Sequence, residues 1–348
     1  MLTLTSRVKP LLHRILQSRW VFRLIGIGIF VLILTRIDLD QLYQTLRTID
    51  PLFLLLSLVL QAVALVVTTF RWQLIMHRLE IYVPFRHCVI QQLIGTAAGV
   101  ITPGQLGEFI KVLYLGSYGY AVPESALSVV VDRLFDLSML FLFGLIGLAV
   151  LFRVPPGLTA ALATGICILV GGGLLFARNR EKSAQTLATV VAKISPQAYK
   201  ETVHKNTHHL AQLVGKFNLS LLAACALLST VNYGLLLLRI YCMALSVHVV
   251  APFWYLAMAI PLLRLVGLIP ISISGIGTRD ITMIYLLGRV GVPQEASLVL
   301  SILSLLTLQF QVLVGLMAWW RYPVQVSRGK GSSRESSPLD NERAVPGK

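Results

Sequence analysis

Along the chain, long apolar runs alternate with short charged stretches. A membrane-spanning helix needs about 20 mostly apolar residues. The runs at roughly 21–37, 51–70, 125–152, 156–177, 219–246 and 296–320 meet or approach that length. Two further apolar regions, about 89–120 and 249–292, are broken by proline and glycine. The first breaks at Thr102-Pro103-Gly104, leaving arms Val89–Ile101 and Gln105–Tyr118. Each arm makes roughly 20 Å of helix, short of a hydrocarbon core of about 30 Å. The second breaks across Ile269-Pro270 to Gly277 and returns through a short arm, Ile281–Val292. Its entering arm is long enough to cross, with Pro261 interrupting it. The pattern predicts an all-α polytopic membrane protein with about six full transmembrane helices. Two re-entrant broken-helix hairpins complete it, hinged at Pro103, Gly104, Gly107, Pro270, Gly275 and Gly277.

Composition excludes the soluble alternatives. Hydrophobic residues make up 56% and charged residues 13% of 348, about half the charge of a typical soluble domain. A water-soluble fold cannot hide that much apolar surface. Thirty Lys and Arg against fifteen Asp and Glu give a net charge of +15. These charges flank apolar runs, as the positive-inside rule requires, so no nucleic-acid partner is expected. The basic N-terminus (Arg7, Lys9, Arg14, Arg19, Arg23) has no small-residue cleavage site after its first apolar run, so a retained first helix is expected. Segment 38–50, with Asp38, Asp40 and Asp50, suits the outside; the loop 178–218, with seven Lys and Arg against Glu181 and Glu201, suits the cytoplasm. A single crossing by 89–120 would expose that basic loop outside, whereas a hairpin keeps it inside. The expected layout is a basic N-terminus over 1–20, a membrane domain over 21–322 and a disordered tail over 323–348, with both termini cytoplasmic. Cys88, Cys167, Cys225 and Cys242 show no metal or redox spacing and read as packing residues.

The two interrupted regions resemble each other. Each carries a Pro/Gly break, then Tyr120-Ala121-Val122-Pro123-Glu124 or Val290-Gly291-Val292-Pro293-Gln294 at the start of a full span. Broken helices in opposed halves point to a transport site near the midplane, because irregular backbone survives there only inside protein or beside a water-filled cavity. Two simple helix kinks are the plain alternative.

Ionisable residues inside spans are costly and default to functional readings. Glu108 and Lys111 lie i,i+3 on the first returning arm and can pair, with backbone N–H groups near Gly107 open to a polar headgroup. Asp132, Arg133 and Asp136 sit about 12–18 Å deep. The two aspartates share a helix face and need a cation or a shared proton. Arg133 is expected to point elsewhere, leaving Arg264 or Arg279 to neutralise the pair or to clamp a phosphate. Asp280 follows Arg279 just past the second turn. Arg239 reads as snorkelling to the outer interface and Arg71-Trp72 as an interfacial anchor. Each of these groups can instead only lock the bundle. His204, His208 and His209 read as a solvated face. No Walker loop, Ser-His-Asp constellation, HExxH or zinc spacing is present, so neither a catalytic residue nor a metal or cofactor is expected.

Arg71-Trp72, Pro103-Gly104-x-x-Gly107-Glu108-x-x-Lys111, Asp132-Arg133-x-x-Asp136 and Pro270-x-Ser272-x-x-Gly275-x-Gly277-x-Arg279-Asp280 together resemble the transmembrane region of lysylphosphatidylglycerol synthases. The resemblance covers roughly residues 20–322. It implies a flippase-like protein of a bacterial or archaeal inner membrane that moves a phospholipid or lipid-linked headgroup between leaflets. The implied partners are membrane lipids: an anionic or aminoacylated phospholipid, or a polyprenyl-phosphate-linked head. Substrate contact or translocation would fall to Glu108, Lys111, Asp132, Arg133, Asp136, Arg264, Arg279 and Asp280. Gln105 stands where the motif often has Arg, and Asp280 where it often has Glu, so the lipid is expected to differ from the family's best-known one. Only a short tail follows the last span, so synthesis of aminoacylated lipid is not expected of this chain. A membrane-embedded transferase acting on polyprenyl-phosphate or phospholipid, a secondary transporter of a small solute and an accessory subunit are the alternatives.

Overall fold

The computed structural model describes residues 47–152, 215–268 and 277–324, together with 40, 43, 44, 157, 164, 212 and 213. The expected span 21–37, nearly all of 156–177 and most of the loop 178–218 lie outside the described residues. So do Pro270, Gly275, the three loop histidines and the tail beyond 324. The described residues form eight helices: α1 Pro51–Arg78, α2 Phe85–Ile101, α3 Ile110–Ser117, α4 Val122–Phe152, α5 Leu219–Ser246, α6 Phe253–Leu268, α7 Thr278–Gly288 and α8 Gln294–Arg321. A tight 3-10 segment, Pro103–Phe109, joins α2 to α3. Four helices (α1, α4, α5, α8) are apolar and 28 to 31 residues long. At 1.5 Å per residue each exceeds about 40 Å, enough to cross a bilayer. The chain is a multi-pass α-helical membrane protein.

The described helices fall into two similar units. From Pro51 to Leu219 and from Arg78 to Ser246 the shift is the same 168 positions. Both first helices have side-chain N-caps: Asp50 accepts from Leu52 N at 2.8 Å and Asn218 from Leu221 N at 3.0 Å. Both end with a left-handed residue, Glu80 (φ 63°) and His248 (φ 54°). The N–H that follows each left-handed residue then bonds back, Ile81 N to Met76 O and Val249 N to Ala244 O, a Schellman closure.

Helices α1 and α5 are antiparallel. Asp50 N meets Ser246 O at 2.8 Å at one end, and Lys216 meets Glu80 at 2.7 Å at the other. After α1 the chain doubles back on itself. Lys111 of α3 reaches Gln92 of α2 at 2.6 Å, and the Tyr120 hydroxyl accepts from Tyr82 N and donates to Tyr82 O at 3.0 and 2.8 Å. This mouth lies at the Glu80–Lys216 end. After α5 the chain doubles back again through α6 and α7, and Tyr255 Oη donates to Leu286 O at 2.6 Å. Val249 and Val292 share one apolar cluster there, at the Asp50–Ser246 end. The two mouths therefore open in opposite directions.

Two sequence expectations are corrected in the second arm pair. The entering arm is expected to be long enough to cross, yet α6 has 16 residues, about 24 Å. His248 to Pro252 are used up in the Schellman closure and the turn into α6. The returning helix starts at Thr278 rather than Ile281, because Asp280 Oδ2 accepts from Gly277 N at 2.9 Å and caps it.

Each long helix after a hairpin packs on the other unit's entering arm. A Cβ on Gly147 of α4 would lie 2.3 Å from Met258 O in α6, and one on Gly315 of α8 would lie 2.4 Å from Leu93 O in α2. The units thus interlock. Gly107 has a similar role within the first hairpin, where its Cβ would fall 2.1 Å from Ala98 O.

Candidate functional site

The polar centre is built around Arg71, only 1% exposed on α1. Its fork is fully used. Nε and Nη2 contact Asp132 Oδ1 at 2.8 and 2.7 Å, and Nη1 contacts Asp136 Oδ1 and Ser229 Oγ, each at 2.8 Å. Nη2 also donates to Asp132 O at 3.2 Å. Arg133 closes the other side, with Nη1 on Glu108 Oε1 at 2.6 Å and Nη2 on Asp136 Oδ2 at 2.9 Å. Its Nη2 also lies 3.5 Å from Asp132 Oδ2. Lys111 meets Glu108 at 3.3 Å, as their i,i+3 spacing allows, and sits 4.8 Å from the centroid of the Trp72 ring. Trp72 Nε1 in turn reaches Ser128 Oγ at 3.3 Å.

Three cations therefore meet three carboxylates, and the network is neutral. It ties the first hairpin to α1, α4 and α5. Its floor is dry, since Asp132 and Lys111 are fully buried. Its rim is open: the side chains of Arg133 and Asp136 are 21% and 29% exposed. Among the described residues no group of His, Cys, Asp and Glu is arranged to hold a metal ion.

Several expectations are corrected here. Arg71 is not an interfacial anchor. Helix α1 continues seven residues beyond it, about 10 Å, which carries the guanidinium inside. The Asp132–Asp136 pair takes its cations from Arg71 and Arg133 rather than from Arg264 or Arg279. Arg133 does not point away, because its long side chain swings back over its own helix. Gly107 N is not free for a headgroup; it donates to Thr102 Oγ1 at 2.6 Å. Arg239 turns inward to Gln61, which is also bonded to Gln311, instead of snorkelling outward.

The second unit supplies a different group of charges. Arg279 Nη2 donates to Ser301 O at 2.6 Å. Asp280 is occupied by Gly277 N and by Ser301 Oγ at 2.5 Å, so it anchors α7 on α8 and stays apart from the Asp132 network. Arg264 is exposed and, among the described residues, has no hydrogen-bond or ion-pair partner. Asp136, Arg133 and Tyr233 are its electrostatic neighbours. Pro103 opens the 3-10 segment of the first hairpin and Gly104 follows it, while Gly277 (φ 83°) turns the chain into α7.

Gln61, Gln92, Gln311, Ser229 and Tyr233 are not singled out by sequence, because a lone amide or hydroxyl in an apolar run carries no signal of its own. The constant shift does carry one: Arg71 and Arg239 stand 168 positions apart, at matching places in α1 and α5.

Comparison with known proteins finds relatives that match most of the chain. A UPF0104 membrane protein of Methanothermobacter thermautotrophicus is 23% identical over 290 residues, covering 78% of this chain and 86% of that protein. A second UPF0104 membrane protein, from Methanocaldococcus jannaschii, is 23% identical over 331 residues, covering 87% and 95%. The model of the lysylphosphatidylglycerol synthase TM region matches residues 20–315. With the shared run of motifs from Arg71 to Asp280 lying inside that match, the chain belongs to the lysylphosphatidylglycerol synthase TM region family.

Proposed function

We propose that the protein carries a phospholipid or a lipid-linked headgroup between the leaflets of a bacterial or archaeal inner membrane. In this reading the two doubled-back segments are re-entrant hairpins of an inverted repeat, framed by six full spans with both termini cytoplasmic. The headgroup passes between the hairpin tips while its acyl chains stay in lipid. One observation carries the reading. The hairpins open toward opposite ends of the bundle, and beside them lie an accessible ionic rim (Arg133, Asp136) and Arg264, which has no hydrogen-bond or ion-pair partner among the described residues. A charged group midway through an apolar bundle costs several kcal/mol unless it serves a polar path, and paired broken helices in opposed halves are where such paths are found.

The test is reconstitution in liposomes with headgroup-labelled lipids of several classes: phosphatidylglycerol, aminoacylated phosphatidylglycerol, phosphatidylethanolamine and a polyprenyl phosphate. Loss of label to a membrane-impermeant quencher reports transbilayer movement. At least one class is expected to move about tenfold faster than in empty liposomes, and Asp136→Asn or Glu108→Gln to remove most of that gain. No acceleration for any class, or undiminished rates in both variants, refutes the reading.

A further inference from the structure

We propose that Arg239, Arg264 and Arg279, with the Tyr233 hydroxyl, form an anion site for a phosphate group bearing about two negative charges, a phosphomonoester or a pyrophosphate. The proposal rests on the headgroup path above and names the substrate class that path accepts.

The two units of the fold hold the same arginine in opposite electrical settings. Arg71 and Arg239 match under the 168-position shift of α1 onto α5. The helices after the hairpins match under a shift of 172, from Val122 to Gln294 and from Gly119 to Gly291. This is two positions off the Val-Pro alignment expected from sequence, because the turn before α8 closes on Val292 N as that before α4 closes on Tyr120 N. That second shift sets Ser304 opposite Asp132 and Leu308 opposite Asp136. The first unit therefore neutralises its arginine with two aspartates, and the second has a hydroxyl and an apolar side chain at those positions. Its one carboxylate near the arginines, Asp280, corresponds to Glu108 and is already bonded to Gly277 N and Ser301 Oγ.

Arg239 on α5 lies within electrostatic range of both Arg264 on α6 and Arg279 on α7. Like charges sharing an apolar bundle raise one another's cost, which an anion between them would lower. Three positive charges against Asp280 leave two uncompensated. Asp136 lies in range of Arg264, but Arg71 and Arg133 already share it.

The donors needed to hold an anion are also idle. Among the described residues, Arg239 Nε, Arg279 Nε and Tyr233 Oη are buried without a hydrogen-bond partner. Tyr233 is only 5% exposed and is held flat on Phe143, with ring centroids 4.1 Å apart, next to Arg264. A buried hydroxyl left unsatisfied is costly, a cost that a ligand oxygen removes. Arg264 is the exposed member of the group, and in this proposal it is the first to meet an incoming anion. Planar guanidinium forks match phosphate oxygens two at a time. A phosphomonoester carries about −1.5 to −2 at pH 7, which fits the residual charge; a diester phosphate carries a single negative charge, which in an aminoacylated head is offset by the ammonium.

The test measures lipid affinity of the full-length protein in nanodiscs or detergent by native mass spectrometry. The probes are dioleoyl phosphatidic acid, dioleoyl phosphatidylglycerol, dioleoyl phosphatidylcholine and a polyprenyl phosphate, with inorganic pyrophosphate as soluble competitor. The two monoester lipids are expected to bind at least about tenfold tighter than the diester lipids. Among the described residues Arg264→Gln removes no hydrogen bond or ion pair, so it should elute as the parent does while losing about tenfold in monoester affinity. Arg264→Lys should recover part of the loss, and Tyr233→Phe should cost roughly three- to fivefold. Displacement by micromolar pyrophosphate assigns the site to a soluble anion; monoester binding that resists it assigns the site to the lipid head. Equal affinity for monoester and diester, or a folded Arg264→Gln protein with parental affinity, overturns the proposal. Selective binding without translocation in liposomes would retain this site and remove the transport reading; translocation without selectivity would do the reverse.

Discussion

Replacing Arg71 by Met removes the central cation from a carboxylate that has almost no other support. Asp132 is fully buried, and without Arg71 its only remaining cationic neighbour among the described residues is Arg133 Nη2 at 3.5 Å. Breaking a buried pair by deleting one partner costs about 3–5 kcal/mol. Asp136 is 29% exposed, so its share of the loss is at most about 1 kcal/mol. Protonation sets a ceiling, since neutralising a carboxyl of ordinary pKa near 3.9 at pH 7 costs about 4 kcal/mol. With the long Arg133 contact retained, the expected cost is about 3 kcal/mol. The double variant Arg71→Met/Asp132→Asn leaves neither member of the pair charged and is expected to lose about 1 kcal/mol. The two sites therefore couple by at least ~2 kcal/mol, well above the scatter of independent sites. Chemical or thermal unfolding in detergent, followed by size-exclusion chromatography, measures all four forms. A single-variant loss under about 1 kcal/mol, or a double variant as weak as the sum of the singles, would show that Arg71 is not the cation holding Asp132.

Two further outcomes follow from the backbone. Gly107→Ala drives a methyl to 2.1 Å from Ala98 O and 2.8 Å from Thr102 Oγ1, and should abolish folded yield. Gly116→Ala, with nothing within 4 Å of the new Cβ, should hold or gain up to about 1 kcal/mol in melting experiments. Thiol labelling of single cysteines in sealed vesicles tests the hairpins: Tyr82→Cys and Val122→Cys should react from one side, and Val250→Cys and Gln294→Cys from the other. Opposite sides for the first two would turn the first hairpin into a crossing.

Much of the framework is legible from apolar length alone. The four long helices lie where the runs at 51–70, 125–152, 219–246 and 296–320 place them, and the break at Thr102 is marked by the Pro103-Gly104 pair. The boundaries that slip are set by hydrogen bonds that hydropathy does not see: the closure at His248 shortens α6, and the Asp280 cap lengthens α7. The site is legible in membership but not in pairing. Glu108 and Lys111 pair within one arm, so spacing suffices. The Asp132–Asp136 pair announces the need for a cation, yet the choice among Arg71, Arg264 and Arg279 depends on helices distant in sequence. Arg71 reads wrongly as an anchor because hydropathy ends its helix near residue 70, before the polar but buried last two turns. There Arg71, Trp72, Ile75 and Met76 face protein rather than water.

Why the chain maintains six charges in an apolar bundle is answered by their arrangement rather than by their energy. A buried ion pair generally contributes little net stability compared with apolar residues of the same shape. What the Arg71–Asp132 contact provides is register. It admits one alignment of α1 against α4, and through Arg133 and Glu108 it locks the first hairpin to that alignment. A hairpin of two short helices has little apolar area of its own to fix its depth, so a slip by one helical turn would separate every pair in the network. In the second unit the matching helix α5 is fixed differently, by amides: Arg239 on Gln61, and Gln61 on Gln311. Amide contacts hold position without cancelling charge. One half of the centre is consequently neutral, with its charges paired, while the other is positioned yet positive. Asp136 stands at the joint, bonded to the first half and within range of Arg264 in the second. An anion drawn to the arginines would compete with Asp136 for Arg264, and a cation arriving at the rim would compete with Arg133 for Asp136. If a polar head passes through the bundle as proposed, that asymmetry between otherwise matching units would give it a direction of attraction, which two identical halves would lack.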